Sequence, residues 1–240
     1  MVCPLKIITS VMMLSLAALL RVPAALASDE VGWPRFTMSN GEQQTAGKAF
    51  AINWYRNRKL IITPLHILSP EAGYSHYVRP VDVAREVSTL DVMDLQNQSV
   101  LASSRRPLLK TGWTVGQGTG DLSGDIMAFE LSASSRLKPF QLCATLPPKG
   151  TRVWVLSKEM NTSGYEPDRF AGVVSSCNAS GLVVDMDSPL TALSSSGSPV
   201  INAKNELVGM MVGKADDTRQ VIMAIPCTSI LRRLFGEIGQ

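Results

Sequence analysis

An all-β protein closed by one C-terminal helix is the fold the sequence predicts, on three observations. Short segments rich in branched and aromatic residues alternate with Gly, Pro, Ser and Asn; helical periodicity appears only near the C-terminus; and a Ser-, Pro- and Lys-rich stretch divides the strands into two sets.

The elements follow in chain order. Residues 1–27 carry one early cation, Lys6, then an apolar run from Ile7 to Leu20 and small residues at Ala25 and Ala27 before the polar "SDE". This pattern predicts a signal peptide cleaved after Ala27 and an exported protein, secreted or periplasmic. The run is shorter than the roughly 20 residues of a spanning helix, so no stable membrane anchor is expected once the leader is removed. Residues 28–138 hold the strand segments "KAFAINWY", "KLIIT" and "DIMAFEL". Residues 139–150 are predicted to link them to a second unit, 151–240, with "TRVWVLS", "AGVVSS", "GLVVDM", "LVGMMVG" and "QVIMAI". In "TSILRRLFGEI", Ile230, Leu231, Leu234 and Ile238 recur at helical spacing behind a Thr228 or Ser229 cap.

Composition excludes several classes. The formal charge is +3, and Lys6 and Arg21 of the leader supply two of those charges, so the remaining chain is close to neutral. That balance argues against a nucleic-acid or anionic-membrane partner. Cys3 leaves with the leader. Cys143, Cys177 and Cys227 lack the paired spacing of a zinc site, and three cysteines allow at most one internal disulfide.

Two histidines limit the imidazole chemistry. His66 in "KLIITPLHIL" follows a strand broken by Thr63 and Pro64, which places the ring at a strand end; His76 in "GYSHYVRP" reads as a surface loop residue. Asp125 in "GDLSGDIMAFEL" opens an alternating strand, where a lone Asp is ordinarily a turn residue. "TALSSSGSPV" supplies hydroxyls at Ser194, Ser195, Ser196 and Ser198. A hydroxyl needs an imidazole to take its proton, and the imidazole needs a carboxylate to fix its tautomer.

"ITPLH", "GDIMAFEL" and "SSSGSPV", in the order His, Asp, Ser, resemble the three active-site signatures of the chymotrypsin-like (trypsin-fold) serine proteases. The resemblance covers nearly all of residues 28–240. It implies two antiparallel six-stranded β-barrels with a C-terminal helix, His66 and Asp125 from the first barrel, Ser196 from the second, and a site between them. It implies His66 as general base, Asp125 as its orienting carboxylate and Ser196 as nucleophile, with Gly197, Ser198 and Pro199 framing the turn. No metal or cofactor is implied, and the partners are protein or peptide substrates.

The same resemblance assigns further positions. The backbone N–H groups of Ser194 and Ser196 correspond to the oxyanion hole. Leu190 corresponds to the base of the substrate pocket, and Val212, Gly213 and Lys214 to the strand that holds substrate backbone. Leu190 implies a small or apolar residue before the scissile bond, and Lys214 the rival preference for an acidic one. Cys143 and Cys227 correspond to regions the family often joins by a disulfide. Ser194 stands where glycine is usual, and a residue with a side chain adopts that backbone orientation less readily. Two functions therefore stay in play: an exported serine endopeptidase, or a pseudoprotease acting as a protein-binding module.

Overall fold

The computed structural model describes residues 29–113, 121–159, 162–190, 194–216 and 220–239. The first set of elements comprises β1 (Val31–Met38), β2 (Gln43–Thr45), β3 (Ala49–Asn53), β4 (Lys59–Thr63), the short helix α1 (Val83–Glu86), β5 (Val87–Met93), β6 (Val100–Ser104), β7 (Met127–Glu130) and β8 (Pro139–Phe140). Their sheet runs β6-β5-β1-β3-β4-β7, with β2 added to β1 and β8 lying parallel to β3. The chain beyond β6 bridges back to β7 through Pro107 and Phe129, so this path curls toward closure.

The second set is β9 (Arg152–Ser157), β10 (Asp168–Cys177), β11 (Leu182–Met186), β12 (Pro199–Ile201), β13 (Leu207–Asp216) and β14 (Val221–Pro226), followed by helix α2 (Cys227–Ile238). These strands form a closed barrel in the order β10-β11-β14-β13-β12-β9. The fold is thus the expected double-barrel architecture, with a fully closed second barrel and a half-barrel sheet as the first. Between them, β8 pairs with β3, and Leu142 bridges Leu207 of the second unit.

Side-chain alternation explains why the central segments read as continuous apolar runs. In β3 and β4, Ala49, Ala51 and Ile61 face the interior of the first sheet, whereas Phe50, Ile52, Leu60 and Ile62 face a seam between the two units. That seam also takes Leu156, Ile201, Met210, Val212 and Ile225 from the second barrel. Val153, Val155, Val184, Val200 and Met211 fill the closed barrel itself. A strand buried on both faces carries apolar residues at every position.

Helix α2 closes the seam with Ile230 and Leu234, as its periodicity predicts. Its start differs from the expected cap. The N-cap is Pro226, Thr228 is already helical, and Ser229 Oγ donates to Ala179 O at 2.5 Å, tying the helix to the β10–β11 turn.

The implied disulfide is also corrected: Cys143, Cys177 and Cys227 are free thiols. Cys227 Sγ donates to Cys143 O at 2.8 Å, while Cys143 Sγ donates to Thr145 O at 3.3 Å. The two sulfurs therefore point at different carbonyls. Burial pushes the Cys227 thiol up to about 12, which keeps it protonated and unreactive.

Candidate active site

His66 lies in the turn after β4, where Thr63 and Pro64 end the strand. Asp125 caps a single 3-10 turn, Leu122–Gly124, and its N–H donates to Leu122 O at 3.1 Å. The Asp125 side chain is fully buried and gives both oxygens to His66: Oδ1 accepts from His66 N at 2.8 Å and Oδ2 meets Nδ1 at 2.5 Å. A carboxylate against Nδ1 keeps the proton on that nitrogen and leaves Nε2 as the acceptor, the tautomer a general base requires.

The serine turn precedes β12. Its backbone is spent on structure at Gly197 N, which donates to Met211 O at 2.7 Å, and at Ser198 N, which donates to Ser195 O at 3.0 Å. Ser196 O accepts from Lys48 N at 2.6 Å, which joins the turn to the first unit. Such close approach requires glycine at two points. A Cβ on Gly197 (φ +89) would fall 2.0 Å from Lys48 O, and one on Gly47 (φ +65) would fall 2.5 Å from Ser196 O. Ser195 is buried, and its Oγ accepts from Ser157 Oγ at 3.1 Å; it is scaffold, as the framing of the turn implies.

His66 and Ser196 line one cleft of about 320 Å³, together with Ser194, Trp33, Ala46 and Glu71. Ser196 Oγ donates to Val212 O at 3.4 Å, and among the described residues no hydrogen bond joins it to His66. Ser194 occupies the left-handed region at φ +68, so a serine here takes up the conformation usual for glycine. Among the described residues, neither Ser194 N–H nor Ser196 N–H donates to a protein acceptor.

Of the remaining predicted positions, Val212 touches Ser196. Leu190 is buried in the core of the closed barrel, and residues 191–193 that follow it are outside the described residues. Val212 packs in the seam and reaches Ser196 through its carbonyl, while Gly213 and Lys214 are half-buried on β13. Leu190, Gly213 and Lys214 are not among the residues that line the cleft that holds His66 and Ser196. His76 is a surface residue paired with Glu86 at 2.8 Å, as its loop setting predicts.

Two residues at the site, Lys48 and Glu71, have no counterpart in the sequence reading. Lys48 is fully buried, donates from Nζ to Ser194 O at 2.6 Å, and sits 3.3 Å from the centroid of the Trp33 ring. Loss of water brings its amine down to about 6. The available signal was a lysine heading the otherwise apolar run "KAFAI". Glu71 belongs to no motif. It accepts hydrogen bonds from Ser69 Oγ, at 2.6 Å, and from the Tyr77 hydroxyl, and these hold its carboxyl below the usual range, so it stays charged in the cleft.

Two β units meeting at a seam, with a carboxylate-held imidazole and a serine turn at one edge, define the class of chymotrypsin-like serine proteases. The model of the trypsin-like peptidase domain matches residues 47–210, more than half of the chain, and the chain belongs to that family. None of the curated proteins matches it. Solved structures of the Rv3671c protease from M. tuberculosis share the fold. The inactive form of a serine-to-alanine mutant from strain H37Rv has 13% identity and a TM-score of 0.57, over 93% of this chain and 94% of that one. The active form has 13% identity and a TM-score of 0.56, over 89% and 82%. A further inactive form has 13% identity and a TM-score of 0.53, over 88% and 90%.

Proposed function

We propose that this serine protease is an exported endopeptidase that works through His66, Asp125 and Ser196. The observation that carries the reading is the His66–Asp125 pair at 2.5 Å, with Asp125 fully buried and His66 sharing a cleft with Ser196. Export rests on the leader at residues 1–27.

In the reaction, Ser196 Oγ leaves Val212 O for His66 Nε2 by a side-chain rotation. The imidazole takes its proton as Oγ attacks the scissile carbonyl carbon. Asp125 steadies the imidazolium that forms, and His66 then passes the proton to the departing amine. The acyl group on Ser196 is released by water, activated by the same imidazole. The unspent N–H groups of Ser194 and Ser196 are the donors available to the tetrahedral oxyanion. Removing one such donor typically lowers kcat about 100- to 1,000-fold. Charged Glu71 in the cleft disfavours acidic substrate side chains beside it.

A fluorophosphonate probe tests this on purified protein. Wild type is expected to label at one site and Ser196→Ala not at all. The binding-module alternative draws on Ser196 Oγ facing Val212 O. Wild type that stays unlabelled from about pH 6 to 9, the range over which an ordinary imidazole becomes neutral, decides for that alternative.

A further inference from the structure

We propose that Lys48 is a positioning residue for this site: its buried amine holds the Ser194 carbonyl and so keeps Ser194 in the left-handed backbone conformation that the oxyanion-binding turn uses. The inference rests on the reading of Ser196 as nucleophile and adds to it the means by which a serine replaces glycine two positions earlier.

The left-handed region is disfavoured for a residue with a Cβ, because Cβ crowds the following carbonyl oxygen. Ser194 nevertheless sits at φ +68, so its surroundings must hold it there. One such contact is the 2.6 Å hydrogen bond from Lys48 Nζ to Ser194 O. Fixing that oxygen fixes the plane of the Ser194–Ser195 peptide, and so the ψ angle of Ser194. The N–H groups of Ser194 and Ser196 have no protein acceptors among the described residues.

Lys48 is itself rigidly placed. Its N–H donates to Ser196 O at 2.6 Å, and its own carbonyl accepts from Thr63 Oγ1 at 2.9 Å. Its Nζ rests against the Trp33 ring, and Trp33 Nε1 is in turn anchored to Leu95 O at 3.1 Å. One residue thus grips the serine turn at two carbonyls, Ser194 through its side chain and Ser196 through its main chain.

The chemistry argues against a packing role. A lysine is rarely buried completely without a carboxylate partner. Here burial lowers the amine, and among the described residues no carboxylate pairs with it. Methionine would fill similar space without that penalty, so the donor is what the position requires. The amine donates in its charged and neutral forms alike, which lets it hold Ser194 O on either side of its titration.

The test compares wild type, Lys48→Met, Ser194→Gly and the double variant for the rate and affinity of fluorophosphonate labelling. Lys48→Met should label at least about 10-fold more slowly at saturating probe, with affinity nearly unchanged, because what is lost is stabilisation of the transition state. Ser194→Gly removes the Cβ that makes the left-handed region unfavourable, so the double variant should recover most of that rate. Thermal unfolding of each variant confirms that it is folded. A Lys48→Met protein that labels at the wild-type rate overturns the proposal, as does a folded double variant no faster than Lys48→Met. Wild type that fails to label removes the nucleophile reading itself, and the positioning role of Lys48 falls with it.

Discussion

Replacing Lys48 with methionine should change the pH dependence of stability in a way that linkage fixes. The amine is fully buried and titrates near about 6 in the folded protein, against an ordinary value of 10.5. Below pH 6 both folded and unfolded chains carry the proton, so the penalty for burying the group is complete and constant. Between pH 6 and 10.5 the unfolded chain holds one proton more than the folded one, so stability rises with pH. One proton corresponds to about 1.4 kcal/mol per pH unit, or about 3 kcal/mol between pH 6.5 and 8.5. Lys48→Met lacks this contribution while every other group is shared. Urea unfolding of the two proteins across that range should show the variant more stable at pH 6.5, with its advantage shrinking by about 3 kcal/mol at pH 8.5. Parallel stability curves would refute the reasoning, since they would mean that the amine is solvated or paired. A more stable but slower protein is the combined expectation, the usual relation between a strained site and its scaffold.

Other substitutions probe the rest of the site. Asp125→Asn should leave the fold intact but lower peptide hydrolysis about 10,000-fold, because an amide permits the wrong imidazole tautomer; a loss below about 100-fold in steady-state kinetics contradicts that role. Gly197→Ala puts a Cβ 2.0 Å from Lys48 O at a φ of +89, so it should lower Tm by well over the several degrees that about 1 kcal/mol produces, with activity lost alongside. An unchanged melting curve would mean that the turn and β3 are not in contact. Protein unfolded without reductant should present three titratable thiols, Cys143, Cys177 and Cys227, in a thiol assay, with Cys227 the slowest to react before unfolding. A count of one would restore the disulfide.

What the sequence revealed follows from where local pattern and tertiary role agree. Each of the eight segments it marks overlaps a strand, and those of β3 and β4 read as unbroken apolar runs because both of their faces are buried. Strand β1 was missed because Pro34 lies inside it, although Pro34 still takes its place opposite Val92. Strand β5 was hidden by Asp91, a charge that the pairing itself satisfies through Arg35 at 3.1 Å. The His66–Asp125 pair was legible because both residues sit at strand ends within short motifs. Lys48 was not, since its partner Ser194 is 146 positions away and only the folded seam brings the amine to that carbonyl.

The seam between the units also governs when the site can exist. Each half folded alone would expose a broad apolar face, Phe50, Ile52 and Ile62 on one side and Met210, Val212 and Ile225 on the other. The hydrogen bonds from Lys48 to Ser194 and Ser196 cross the same boundary. Docking of the halves and completion of the serine turn are therefore one event. A chain whose halves have not yet met lacks the completed serine turn.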